Sequence, residues 1–273
     1  MQPPKFPASR AIAIRKPGLQ AICLIILLLW AAFPALAQQD RNPEQDAIVA
    51  PEAVALFRKG ERLADNGQFT EAITAFRAAI RVQPDLVEAY QQVGLAYAGL
   101  KQYPEAVKAF KEAIRLQPQW AQVYENLGVA YIKLGRWQEA SDALAKGVKL
   151  NPTDAEAHYN LGLVTGKLGR DQEARAQFEE AIRLEPKLAK AHKNLGLAYL
   201  NLGRLDEAQK SLREASRLQP DDAQTHYALC VYYLRKGDAE AANREFQALK
   251  GLDPTLAENL SGPMRPEASG KKP

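Results

Sequence analysis

Little in this 273-residue chain suits catalysis or covalent stabilisation: it holds two cysteines, two methionines and three histidines. Cys23 and Cys230 lie far apart with no third cysteine, so no C-x-x-C pair is available for zinc or redox chemistry. No H-E-x-x-H, G-x-S-x-G or calcium loop occurs, which leaves an enzyme, a metal or a cofactor without a sequence basis. Gly162-Leu-Val-Thr-Gly166-Lys167 has one residue too few between its glycines to be a phosphate loop, and it falls inside a helical pattern. An excess of one charge is missing too. The formal net charge of +4 comes from residues 1–37, which carry Lys5, Arg10, Arg15 and Lys16 and no acid; without them 32 of the 36 Lys and Arg face 32 Asp and Glu. Such a balance gives no electrostatic footprint for nucleic acid or an anionic membrane.

Those basic residues precede an apolar run from Leu19 to Phe33 and then Ala35, Leu36 and Ala37. Basic, apolar and small-residue zones in that order are expected to form a secretory signal cleaved before Gln38. The run of about 15 residues is short of the roughly 20 that a membrane span needs, so an uncleaved anchor is the alternative and no membrane insertion is expected after cleavage. Cleavage removes Cys23 and leaves Cys230 alone. Export without disulfides suits a bacterial periplasm or secretion.

Prolines recur at Pro84, Pro118, Pro152, Pro186, Pro220 and Pro254, each 34 residues after the last. A period of that length is the signature of a stacked repeat. It defines units 51–84, 85–118, 119–152, 153–186, 187–220 and 221–254, with a polar linker at 38–50, a short capping helix at 255–260 and a disordered tail at 261–273. Within each unit apolar residues recur at three and four, and Gly67, Gly135, Gly169, Gly203 or Gly237 divides the pattern into helix A and helix B. Lys101 takes the glycine's place once. Small residues, Ala72 through Ala242 on helix B and Gly60 through Gly196 on helix A, stand opposite bulky Phe76, Phe110, Leu144, Phe178, Leu212 and Phe246, an arrangement that lets helices interdigitate.

With Leu127-Gly128 and Tyr131, Leu195-Gly196 and Tyr199, and Ala106, Phe110 and Pro118 in place, residues 51–254 resemble the tetratricopeptide repeat (TPR) family. The resemblance implies an all-α, right-handed superhelical solenoid of six helix-turn-helix repeats, with helix A residues lining a concave groove, and a scaffold for protein–protein interactions. Thr165 stands where tyrosine is expected and Cys230 where glycine is. The first reads, with Gly166, as a loosely packed fourth repeat, and the second as a small buried hydrophobe.

Asn126, Asn160 and Asn194 form a row at 34-residue spacing, extended backwards by Gln92, and Leu95, Val129, Leu163, Leu197 and Val231 follow three residues later. A carboxamide both donates and accepts, so a ladder of them can hold an extended peptide backbone beside an aliphatic strip. The row resembles the asparagine ladder in the TPR superhelix of O-linked N-acetylglucosamine transferases; the carboxylate clamp of other TPR proteins is absent. Tyr159 and Tyr227 add aromatic anchors. Glu88, Glu125 and Glu156 lie toward one end, and Lys133, Lys167, Lys190, Lys193 and Arg235 toward the other, so an acidic end of a partner is expected over repeats five and six. His158, His192 and His226 share one helix A position with Leu56, Tyr90 and Tyr124, which favours packing over metal binding. The expected partner is a protein or peptide. The alternative is a structural subunit of an envelope or secretion assembly, using end faces, through which it could self-associate, and its convex surface.

Overall fold

The computed structural model describes residues 50–260; the leader, most of the linker and the tail lie outside them. Among the described residues there are thirteen α-helices and no strand: α1 (Pro51–Asp65), α2 (Phe69–Val82), α3 (Val87–Gly99), α4 (Tyr103–Leu116), α5 (Ala121–Lys133), α6 (Trp137–Leu150), α7 (Ala155–Lys167), α8 (Asp171–Leu184), α9 (Ala189–Asn201), α10 (Leu205–Leu218), α11 (Ala223–Lys236), α12 (Ala239–Leu252) and α13 (Pro254–Glu258). They form six helical hairpins stacked as a right-handed TPR solenoid. The odd-numbered helices α3, α5, α7, α9 and α11 each touch the next of their kind, whereas among the described residues no two consecutive even-numbered helices come as close. The A helices therefore form the inner, concave layer and the B helices the outer one.

The turn within each hairpin needs a left-handed residue. Gly67, Gly135, Gly169, Gly203 and Gly237 have φ between 69° and 78°, and Lys101 is held at 58°. A left-handed L-residue costs about 1–2 kcal/mol, and the freedom that glycine has when unfolded returns part of that. Lys101→Gly is accordingly expected to stabilise the chain by about 0.5–1 kcal/mol, read as a rise in the urea midpoint.

Between the layers the small-against-large rule is strict. A Cβ built on Gly60, Gly94, Gly128, Gly162 or Gly196 would lie 2.4–2.6 Å from Phe76, Phe110, Leu144, Phe178 or Leu212, well inside van der Waals contact. Those five knobs are between 0% and 3% exposed. The sixth unit departs from the rule: Cys230 replaces the glycine and is fully buried, and the opposing Phe246, on the last B helix, is half-buried. The Cys230 thiol donates to the Ala242 carbonyl at 3.4 Å, and burial, with Glu245 nearby, pushes its pKa up to about 11. It behaves as a hydrophobe, as expected.

At the first hairpin Lys59 is exposed where Val93, Leu127 and Leu161 are buried, giving the stack a wet starting face. At the other end the capping helix spans Pro254–Glu258, one residue earlier than its expected start, because Pro254 serves as its first residue behind the Asp253 cap. Its Ala257 and the following Leu260 are buried with Cys230, Ala242 and Leu249. Ile80, Ile114 and Ile182, equivalent to exposed Lys250, are only half-buried, so that lysine removes less core than the repeat pattern implies.

Candidate functional site

The inner face is built by register. Because one repeat is 34 residues, side chains about 34 apart on successive A helices become neighbours. Gln92 on α3, Asn126 on α5, Asn160 on α7 and Asn194 on α9 form one half-buried row. Asn126 and Asn160 make no side-chain hydrogen bond to any described residue, so their amides are available. The Asn194 amide is engaged: it donates to the Lys190 carbonyl at 2.8 Å and to the Tyr159 hydroxyl at 3.3 Å. Along the aliphatic strip Leu95 is 38% exposed, while Val129, Leu163, Leu197 and Val231 are half-buried.

The expected site residues gather most densely between repeats four and five. Lys190 Nζ pairs with both Glu156 oxygens at 2.6 Å and stands 4.4 Å from the Tyr159 ring centroid. Burial, with Glu156 next to it, raises the Tyr159 pKa, against the pull of the Asn194 hydrogen bond. Beside this cluster, Leu163, Asn194 and Leu197 share a cleft of about 220 Å³ with Gly166, Lys167 and Phe178. Gly166 lines the cleft at a position held by Ile132, Leu200 and Leu234 in repeats three, five and six and by alanine in the first two. Thr165, buried at 2% exposure, donates to the Leu161 and Gly162 carbonyls and needs no further partner. In repeats three and five, Arg136 and Arg204 stack over Tyr131 and Tyr199; Arg170, facing Thr165 instead, bonds Gln138.

The remaining expected residues are spoken for in other ways. Lys193 pairs with Asp222 at 3.1 Å and donates to Gln224. Asp222 caps α11 by accepting from Thr225; although burial pushes its pKa upward, Thr225 and Lys193 together hold it low. Arg235 donates to the Leu200 carbonyl at 2.5 Å, closing the end of α9. Tyr227 and Val231 pack against the cluster around Cys230 and Leu260. The cationic end of the groove is thus largely paired within the chain.

The histidine row clasps the inter-repeat turns. His158, His192 and His226 Nε2 lie 3.2, 2.9 and 2.8 Å from the carbonyls of Pro152, Pro186 and Pro220, and Tyr90 donates to Pro84 in the same way at 3.1 Å. On the other ring nitrogen His158 meets Gln177 and His226 meets Glu245. Among the described residues no cluster of metal-ligating side chains occurs. The sequence signal for the clasp was the exchange of tyrosine and histidine at one position: both carry a polar group far enough from the backbone to reach a carbonyl six residues back.

Two features were not foreseen. Glu125 is buried, with only 9% exposure, beside a hollow that also involves Trp120 and Asp154. Burial first, and then Asp154, raises its pKa, against a hydrogen bond from Gln122. Between consecutive B helices, two register-equivalent clefts of about 330 and 560 Å³ run over Tyr90, Val93 and Tyr97 and over His192, Leu195 and Tyr199. Their signal was the repeat itself, since the lining positions lie three repeats apart.

Hairpin stacking, the left-handed turns and the glycine-to-knob register define a TPR solenoid, the class of protein that acts as an interaction scaffold. Residues 28–259 match the family described as Cilia and flagella-associated protein 70 C-terminal domain, and the chain belongs to this TPR family. No curated protein matches it significantly. Among solved structures, it is 30% identical to MamA, with a TM-score of 0.57 over 60% of this chain and 96% of that one. It is 26% identical to YrrB, described as a TPR protein with an unusual peptide-binding site, with a TM-score of 0.59 over 64% and 91%. PilF of Pseudomonas aeruginosa, 18% identical with a TM-score of 0.66 over 77% and 97%, shares the fold.

Proposed function

We propose that the chain is an exported scaffold whose inner face holds an extended or helical peptide segment of a partner protein. The observation that carries this reading is the row of Asn126 and Asn160, half-buried on the concave face with no side-chain hydrogen bond to any described residue. The peptide-binding site of the YrrB structure adds support by similarity. Export rests on the leader pattern in residues 1–37, and no helix of the described residues is long and apolar enough to cross a membrane.

Each amide lost from a bound backbone costs about 0.5–1.5 kcal/mol. Replacing Asn126, Asn160 and Asn194 together by alanine is therefore expected to weaken a crosslink-identified partner by about tenfold or more, with unchanged helicity by circular dichroism. Equal affinity in the triple variant excludes the groove. A second reading, assembly through the outer face, is favoured by the paired clefts between B helices, and partner loss on Tyr97→Ala with the triple variant unaffected would select it.

A further inference from the structure

The hollow beside Glu125 has an unusual electrostatic composition. It encloses about 230 Å³ between the start of α5, the end of α6 and the start of α7, and is lined by Trp120, Gln122, Glu125, Asn151 and Asp154 with small residues between. Gly147, where other repeats carry alanine or leucine, helps to open it; a Cβ there would be in ordinary contact, 3.5 Å from the Ala121 carbonyl. No basic residue lines the space.

A carboxylate nine-tenths out of water ordinarily has a cationic partner. Glu125 has none among the described residues: Oε2 accepts from Gln122 Nε2 at 2.9 Å, and Oε1 has no donor there. Asp154 Oδ1 is used in capping α7, accepting from the amides of Glu156 and Ala157, yet Asp154 makes no ion pair with any described residue. Two cations of the inner face are committed elsewhere, Lys190 to Glu156 and Lys193 to Asp222. Burial and the like charges of Asp154 and Glu156 both disfavour the Glu125 carboxylate, so the site carries a cost that a visiting cation would remove.

We propose that this hollow takes the cationic head group of a lysine or arginine side chain from the bound partner segment. Two carboxylates supply the countercharge, the carboxamides of Gln122 and Asn151 offer further acceptors, and the half-buried Trp120 provides an aromatic wall of the kind that attracts ammonium and guanidinium groups. Glu125 and Asn126 are consecutive on α5, so a segment held by the amide row passes the same helix turn that carries the pocket; the inference rests on the groove reading and gives it a chemical preference.

The test is calorimetric titration of the full-length chain at about 20 mM salt, where charge pairing is little screened. The probes are acetylated, amidated Gly-Gly-X-Gly-Gly peptides with X arginine, lysine, norleucine or glutamate. Arginine and lysine peptides are expected to bind at least about tenfold more tightly than norleucine, and glutamate more weakly still. Glu125→Gln is expected to collapse that ratio toward one and at the same time to raise the thermal midpoint, since it removes a buried charge; misfolding would lower it. Asp154→Asn, which keeps the helix cap, is expected to reduce the ratio too. Equal affinities for arginine and norleucine peptides, or a ratio that survives both substitutions, overturn the pocket. The triple asparagine variant separates the two proposals: if the groove holds backbone, all four peptides weaken together and the arginine-to-norleucine ratio stays. Unchanged affinities in that variant with a persistent ratio would leave the pocket standing and remove the groove.

Discussion

Phe110→Ala is expected to destabilise the second repeat by about 3–5 kcal/mol, the usual range for emptying a buried aromatic site. Phe110 is 1% exposed and lies over Gly94, so its removal opens a void between α3 and α4 that neither backbone fills. The same pair gives a sharper result. Gly94→Ala alone forces a methyl to within 2.4 Å of the ring, an overpacking that costs about 1–3 kcal/mol. In the Phe110→Ala background that methyl enters the vacated space, and alanine is favoured over glycine inside a helix by about 1 kcal/mol. Gly94→Ala should then become neutral or stabilising. Hydrogen exchange at α3 and α4 amides reads each variant locally, which suits a repeat array whose units depend on their neighbours. Simple additivity of the two substitutions would refute the interlock. The sixth unit carries a side chain at the glycine position, Cys230, and there the opposing Phe246 is half-buried rather than buried.

The repeat made the packing legible because the fold is set by contacts that recur. Gly94 with Phe110 is one of five copies, so the pairing stands out before any coordinates. The site was less legible because its contacts occur once. Lys190 and Lys193 read as cations awaiting a partner, yet residues 34 and 29 positions away on the neighbouring A helices, Glu156 and Asp222, neutralise them. The first pairing follows from the period, but only when the stacking is carried through to individual side chains; the second joins α9 to the cap of α11 off that register. The histidine clasp was hidden for a different reason: its acceptor is a backbone carbonyl, which no residue pattern displays. Glu125 shows a third limit. Its type announces a solvated charge, and the hollow beside it is framed by Trp120 before it, Asp154 beyond it and Gly147 across from it, irregularities that meet only in space. Irregularities of that sort are where a repeat departs from scaffold and acquires preference.

The end of the stack is expected to be the place where a small substitution has the largest local effect. Leu256→Asp with Leu260→Asp removes the apolar contacts by which α13 covers α11 and α12. Full burial of a leucine is worth about 1.5–3 kcal/mol, so losing buried Leu260 together with half-buried Leu256 exceeds what a five-residue helix can hold by its own hydrogen bonds, given the cost of helix nucleation. With α13 undocked, the face of α11 that carries Tyr227, Cys230 and Val231 meets solvent. The Cys230 thiol, fully buried and pushed up to about 11 with α13 in place, should move toward the ordinary thiol range of about 8.5. Alkylation by iodoacetamide, read by peptide mass at Cys230, should accelerate by at least about tenfold at pH 8, since both access and thiolate fraction rise. An unchanged rate would place the protection of Cys230 entirely in the α11–α12 hairpin and make α13 dispensable to the sixth repeat. A rise confined to the last hairpin, with α3 to α8 amides still protected, would show that the cap stabilises its neighbour alone, as expected when each repeat is held chiefly by the units on either side of it.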